Sequence, residues 1–74
     1  MRVTVKRADG AKEISVSVSE STRVYQLMSD VEDYMEIRFL QMMLLYPGAG
    51  VLEFNRTLGS YGIEDGDIIF CKRK

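Results

Sequence analysis

The chain changes its hydrophobic period twice within 74 residues, and this limits the folds open to it. Met1, Val3 and Val5 alternate with Arg2, Thr4 and Lys6, then Ile14, Val16 and Val18 alternate with Ser15, Ser17 and Ser19. Alternation of that kind marks half-buried strands, since successive strand side chains point to opposite faces. Asp9-Gly10 lies between them as a hairpin turn, with Gly accepting a positive φ. The period then shifts. Val24, Leu27, Met28, Val31 and Met35 follow helical spacing and make one apolar stripe, predicting a helix from about Thr22 to Met35. Ser21 or Thr22 is the expected cap. Asp30, Glu32 and Asp33 fall on the far face, as solvated positions, and Tyr34 at the stripe's edge.

The second half returns to strands of another kind. Residues 41–46 and 67–73 are apolar at both parities, as strands covered or contacted on two faces are. Pro47-Gly48 reads as a type II turn. Val51-Leu52 is a candidate short edge strand. Thr57 to Ile63 reads as a compact loop anchored by Leu58 and Ile63, and Asp65-Gly66-Asp67 as a turn. A hairpin, one helix and three more strands give a single α+β domain over residues 1–74, with the first and last strands side by side in the middle of a sheet whose one face the helix covers.

Composition excludes more than it assigns. A domain of this size buries only about 60% of its unfolded surface, so its core must be efficient. One cysteine cannot close an internal disulfide, and the chain has no histidine to help build a zinc site. Lack of histidine also removes the commonest general base, and no enzymatic activity or cofactor is expected. Cys71 falls at a core-facing parity and reads as a small buried hydrophobe. Asp65 and Asp67 lack the loop that would complete a calcium shell. Gly48-Ala49-Gly50 lacks the further glycine and helix of a phosphate cradle. A net charge of −1 offers no global field toward nucleic acid or membrane. No apolar run approaches the length of a membrane span. A lone thiol fits a reducing compartment, so cytoplasm or nucleus is the expected location.

Element order and matching residues together resemble the ubiquitin-like (β-grasp) family over essentially the whole chain. Arg56-Thr57-Leu58-x-x-Tyr61-x-Ile63 is the most specific stretch. Ser21-Thr22-Arg23-Val24-x-x-Leu27 is similar to the family's helix entry, and Gln41-x-x-Leu44 to its third strand. The resemblance implies a mixed sheet of four or five strands with one helix packed across one face. It also implies a binding surface on the outer face of the sheet. The family's patch there is a leucine in the first hairpin, an isoleucine on the third strand and a valine on the last. Leu45 matches the isoleucine, while Lys72 and Ala8 stand at the other two positions, and Phe70 where a histidine is frequent. Glu36 replaces the usual glycine at the helix exit, and Arg38-Phe39 the usual prolines. The lysines on which chains of the modifier are commonly built have no counterpart near Ala49, Gly50 or Asp65, although Lys6 matches one acceptor position.

Period-2 parity independently places Met43, Leu45, Ile68 and Phe70 on the face away from the helix. Large apolar groups collected on a face that the core does not need imply a covering partner. The expected site is therefore Met43, Leu45, Ile68 and Phe70, with Lys72 at the rim. The resemblance implies a protein partner: a ubiquitin-pathway component, the proteasome or another domain of the same protein. Neither nucleic acid nor membrane is expected, and the chain should be a monomer or weakly self-associating. The residues end at Lys72-Arg73-Lys74 without the Gly-Gly through which the family's modifiers are conjugated. The leading expectation is a non-covalent interaction domain of a larger protein; the alternative is a modifier whose Gly-Gly tail lies beyond Lys74.

Overall fold

The computed structural model describes residues 1–74. Five strands and one helix follow the predicted order: β1 Arg2–Arg7, β2 Glu13–Ser17, α1 Val24–Met35, β3 Met42–Tyr46, β4 Gly50–Val51 and β5 Ile68–Arg73. The sheet order is β2-β1-β5-β3-β4. β1 and β5 pair in parallel at its centre, and the other pairings are antiparallel. The helix lies across one face. Its buried residues Val24, Leu27, Met28, Val31 and Met35 join Val3, Val5, Leu44, Ile69 and Cys71 of the sheet in one core. Each fully buried aliphatic side chain in such a core contributes about 1.5–3 kcal/mol relative to exposure. The architecture is thus the α+β, ubiquitin-like grasp, with a mixed sheet of five strands.

The predicted turns form as their chemistry dictates. Gly10 takes φ 78° in the first hairpin. Ala49 N–H donates to Tyr46 C=O at 2.9 Å across Pro47-Gly48, with Gly48 at φ 92°. Asp65 and Asp67 act as turn clamps. The Asp65 carboxylate accepts from Arg2 N–H at 2.6 Å, and Asp67 from Glu64 N–H at 2.9 Å and from the Tyr46 hydroxyl at 2.5 Å.

Three local expectations need correction. The helix begins at Val24, with Arg23 as N-cap, so neither Ser21 nor Thr22 caps it. Loop carbonyls do that work instead. Val24 N–H donates to Arg56 C=O at 2.9 Å and Tyr25 N–H to Phe54 C=O at 2.8 Å, while the Gln26 side chain accepts from Arg23 N–H. These bonds satisfy amides that every helix start leaves unpaired. Second, Glu32 is not merely solvated: its carboxylate accepts from Phe39 N–H at 2.8 Å and pins the turn after the helix. Third, the edge strand is Gly50–Val51, one residue earlier than expected.

The helix exit keeps the left-handed conformation without glycine. Glu36 sits at φ 59°, ψ 34°, and Ile37 N–H reaches back to Glu32 C=O. Basic side chains compensate the helix end. Arg7 donates to Met35 C=O, Arg73 donates to Glu36 C=O, and Lys12 pairs with the Glu36 carboxylate at 2.6 Å. Cations at a helix C-terminus also meet its partial negative charge.

Candidate interaction surface

Strand register fixes what the outer face presents, because residues directly opposed in a sheet share a face. One row crosses all five strands: Glu13, Lys6, Phe70, Leu45 and Val51. On one side of it lie Thr4 and Ile68; on the other, Lys72 and Met43. The structure therefore brings the five expected site residues onto one surface, with Leu45 flanked by Phe70 and Val51. Exposure within the set is uneven. Ile68 is 44% exposed, while Met43, Leu45 and Phe70 are half-buried beside their cross-strand neighbours. Lys72 is exposed next to Met43.

Sequence periodicity missed the adjoining part of this surface. Val51, 53% exposed, extends the apolar row to the sheet's edge. Beyond that edge lies a groove of about 560 Å³, lined mainly by Phe39, Leu40, Met42, Met43, Val51, Leu52 and Phe54, with Lys74 at its wall. Leu40 and Phe54 are the two most exposed large apolar residues of the chain, at 76% and 58%.

Local structure holds them there. The turn Phe39–Gln41 is 3-10, and it points Phe39 toward the core while leaving Leu40 outside. Phe54 is carried on a braced loop. Its carbonyl caps the helix, its ring meets Tyr25 edge-on at 6.3 Å, and Glu53 N–H donates to the Tyr61 hydroxyl at 2.7 Å. Arg56 stacks over Tyr61 at 4.0 Å and donates to Ser60, stiffening the same loop. No periodic signal marks a lone apolar residue in a loop or a 3-10 turn. The one cue in the sequence is that Leu40 and Phe54 each adjoin polar residues, Gln41 on one side of the first and Glu53 and Asn55 around the second.

Charge is unevenly spread around this surface. Lys6, Lys72 and Lys74 enter none of the chain's ion pairs, which join Arg7 to Asp9, Lys12 to Glu36 and Arg56 to Glu53. Carboxylates exposed on the helix side stand at Asp30, Asp33 and Glu36, and the others exposed, Asp9, Glu13, Glu20, Glu53, Glu64 and Asp65, lie on β2 and in turns and loops. A second cleft, between β2 and α1, is lined by Ser17, Val18, Thr22, Tyr25, Gln26, Ser29 and Asp30 and is mostly polar.

Chemistry elsewhere in the chain has a structural use. Cys71 is fully buried in the central strand, and burial pushes its thiol above the ordinary value, away from the reactive thiolate. The hydrogen bond from Tyr46, followed by that from Glu64 N–H, holds Asp67 below the usual carboxylate range. No three acidic or thiol groups stand close enough together to hold a metal.

A protein-family model described as ubiquitin-2 like Rad60 SUMO-like matches residues 1–70. No curated protein matches the chain.

Proposed function

This chain belongs to the ubiquitin-like family described as Rad60 SUMO-like, and from that premise we propose that it is a non-covalent protein-docking domain without enzymatic activity. It meets its partner through the outer face of the sheet, at Met43, Leu45, Ile68 and Phe70, with Lys72 on the rim. One observation carries this reading: the row Phe70, Leu45 and Val51 runs unbroken to the sheet edge on the face opposite the helix. The core is complete without that row, since the fifteen buried residues all lie elsewhere. Large apolar groups left in water on a sheet surface favour association, and an interface that covers them gains their burial. Leu45 and Phe70 are the anchors of the reading, as central, half-sheltered apolar and aromatic groups carry most interface energy. Lys72 acts on the rate and salt dependence of association.

The test is a pair of single variants, Leu45→Asp and Phe70→Asp, with Asp30→Lys on the helix face as control. Each is checked for folding by amide spectra and then used to capture partners from lysate of the source cells. Partners that survive the control but are lost with both aspartates support the reading. Undiminished recovery by two folded aspartate variants removes this face as the site.

A further inference from the structure

We infer that this chain pairs with a second copy of itself across the groove beside β4, with Leu40 and Phe54 of each copy seated against the other. The inference goes beyond the docking reading and does not depend on it. None of Leu45, Ile68 and Phe70 lines the groove, so both copies keep that face open.

The case begins with what stands on either side of one hollow. Its floor is apolar, with Met28, Met42 and Leu52 reaching it from the core. On one side, Leu40 and Lys74 both adjoin Gln41 at the start of β3: Leu40 precedes it in the 3-10 turn, and Lys74 N–H donates to its C=O at 2.8 Å. On the other side, Glu53 and Phe54 follow β4, which lies across β3 from β5. Each side thus carries one projecting apolar group and one charge, and the two charges are opposite. Leu40 and Phe54 are also the two large apolar residues that the fold shelters least.

A twofold rotation matches such a surface to itself. In an isologous pair, residue i of one copy meets residue j of the other, and j meets i. With the axis through the hollow, Leu40 of each copy faces Phe54 of the other, and Lys74 faces Glu53. The charges are free for this. Lys74 enters none of the ion pairs of the fold. Glu53 meets Arg56 at 3.7 Å between exposed side chains, and Arg56 is held independently by Tyr61 and Ser60. An exposed pair of that kind contributes little, so little is lost when Glu53 turns to a lysine of a second copy. A net charge of −1 leaves almost no general repulsion between copies. The size agrees. Weak interfaces bury less than about 1,200 Å² in all, or roughly 600 Å² from each copy. That is about a seventh of the 4450 Å² surface of this chain, and the 11 residues lining the groove are a similar share of the 74. An interface of this area gives a dimer that forms and parts with concentration.

Sedimentation and amide spectra of the folded 74-residue chain, followed from about 10 μM to about 1 mM, test this. The mean mass should rise toward that of a dimer. The amides of Leu40, Val51 and Phe54 should shift with concentration while those of Lys6 and Ile68 stay fixed. Leu40→Ser and Phe54→Ser should each weaken the pairing by about tenfold or more, and Leu40→Ser should do so without moving the unfolding midpoint. Charge reversal gives the sharper test. Lys74→Glu and Glu53→Lys should each weaken self-association, since each leaves like charges facing across the axis. An equimolar mixture of the two variants should associate more tightly than either alone, because the opposite signs then meet. A chain that stays monomeric to about 1 mM overturns the inference, and so does a dimer indifferent to both serine variants. A mixture no tighter than its components removes the twofold arrangement and the inference with it. Concentration-dependent shifts that fall on Leu45, Ile68 and Phe70 instead assign the self-contact to the docking face, and also overturn the pairing across the groove.

Discussion

Glu36 is the only non-glycine residue at positive φ, and what holds it there can be separated by substitution. A left-handed residue with a Cβ costs roughly 1–2 kcal/mol. The pair with Lys12 is exposed on the Glu36 side, and ion pairs in solvent offset little of such a cost. Glu36→Gly should therefore leave stability unchanged or raise it by up to about 1 kcal/mol, and the β-branched Glu36→Val should lower it by about 1–2 kcal/mol. Urea midpoints of the two variants check the order; a valine variant as stable as the glycine one would mean the exit is not strained. Tyr46 and Asp67 make a second prediction at this scale. The Tyr46 hydroxyl is the largest cause of the lowered Asp67 carboxyl, with Glu64 N–H next. A carboxylate lowered in the folded state contributes stability above its unfolded value, near 3.9, and loses it as pH falls through the lower folded value. Tyr46→Phe should reduce stability at neutral pH and flatten its decline between about pH 4 and the lower folded value. Equal acid slopes for variant and parent would remove the linkage.

The elements differ in how far their own residues reveal them. β1 and β2 alternate cleanly, and the helical stripe from Val24 to Met35 names its buried face, because each periodicity is local. β3 and β5 were legible as strands apolar on both faces, and their parity separates Leu44 and Cys71 in the core from Leu45 and Phe70 outside. The helix start was not legible. Val24 and Tyr25 donate to carbonyls about thirty residues away, so no nearby Ser or Thr is required. Leu40 and Phe54 were equally hidden, since a 3-10 turn and a loop have no period to violate. The loop that carries Phe54 is itself packed against the chain before the helix. Leu58 N–H donates to Thr22 C=O and Gly59 N–H to Glu20 C=O, both at 2.8 Å. A Cβ on Gly59 would stand 2.8 Å from that Glu20 oxygen. Backbone cannot yield as a side chain does, so Gly59→Ala should cost about 1–3 kcal/mol. It should also disturb the Val24 and Tyr25 amides, which depend on the same loop. Hydrogen exchange at these two amides would report it; unchanged stability and exchange would show the loop to be loosely held.

At the scale of the whole molecule, the first and last strands pair in parallel in the centre of the sheet. β1 and β5 are neighbours, each flanked by a further strand, so neither can leave without splitting the sheet. Cys71 lies on β5, fully buried and opposite Leu44. Its thiol can reach solvent only when the central pairing opens, and in a domain this small that opening should be global unfolding. Labelling of Cys71 by a thiol reagent therefore measures the stability of the entire fold. Leu44→Ala removes a fully buried side chain and should cost about 2–5 kcal/mol. When refolding outpaces labelling, the same variant should speed labelling by tenfold for each ~1.4 kcal/mol it loses, in step with its urea midpoint. Leu45→Asp, on the outer face, should change the rate far less. Fast labelling that ignores Leu44→Ala would instead mean that β5 frays on its own, and that the face carrying Phe70 and Lys72 is not a fixed surface for a partner to read.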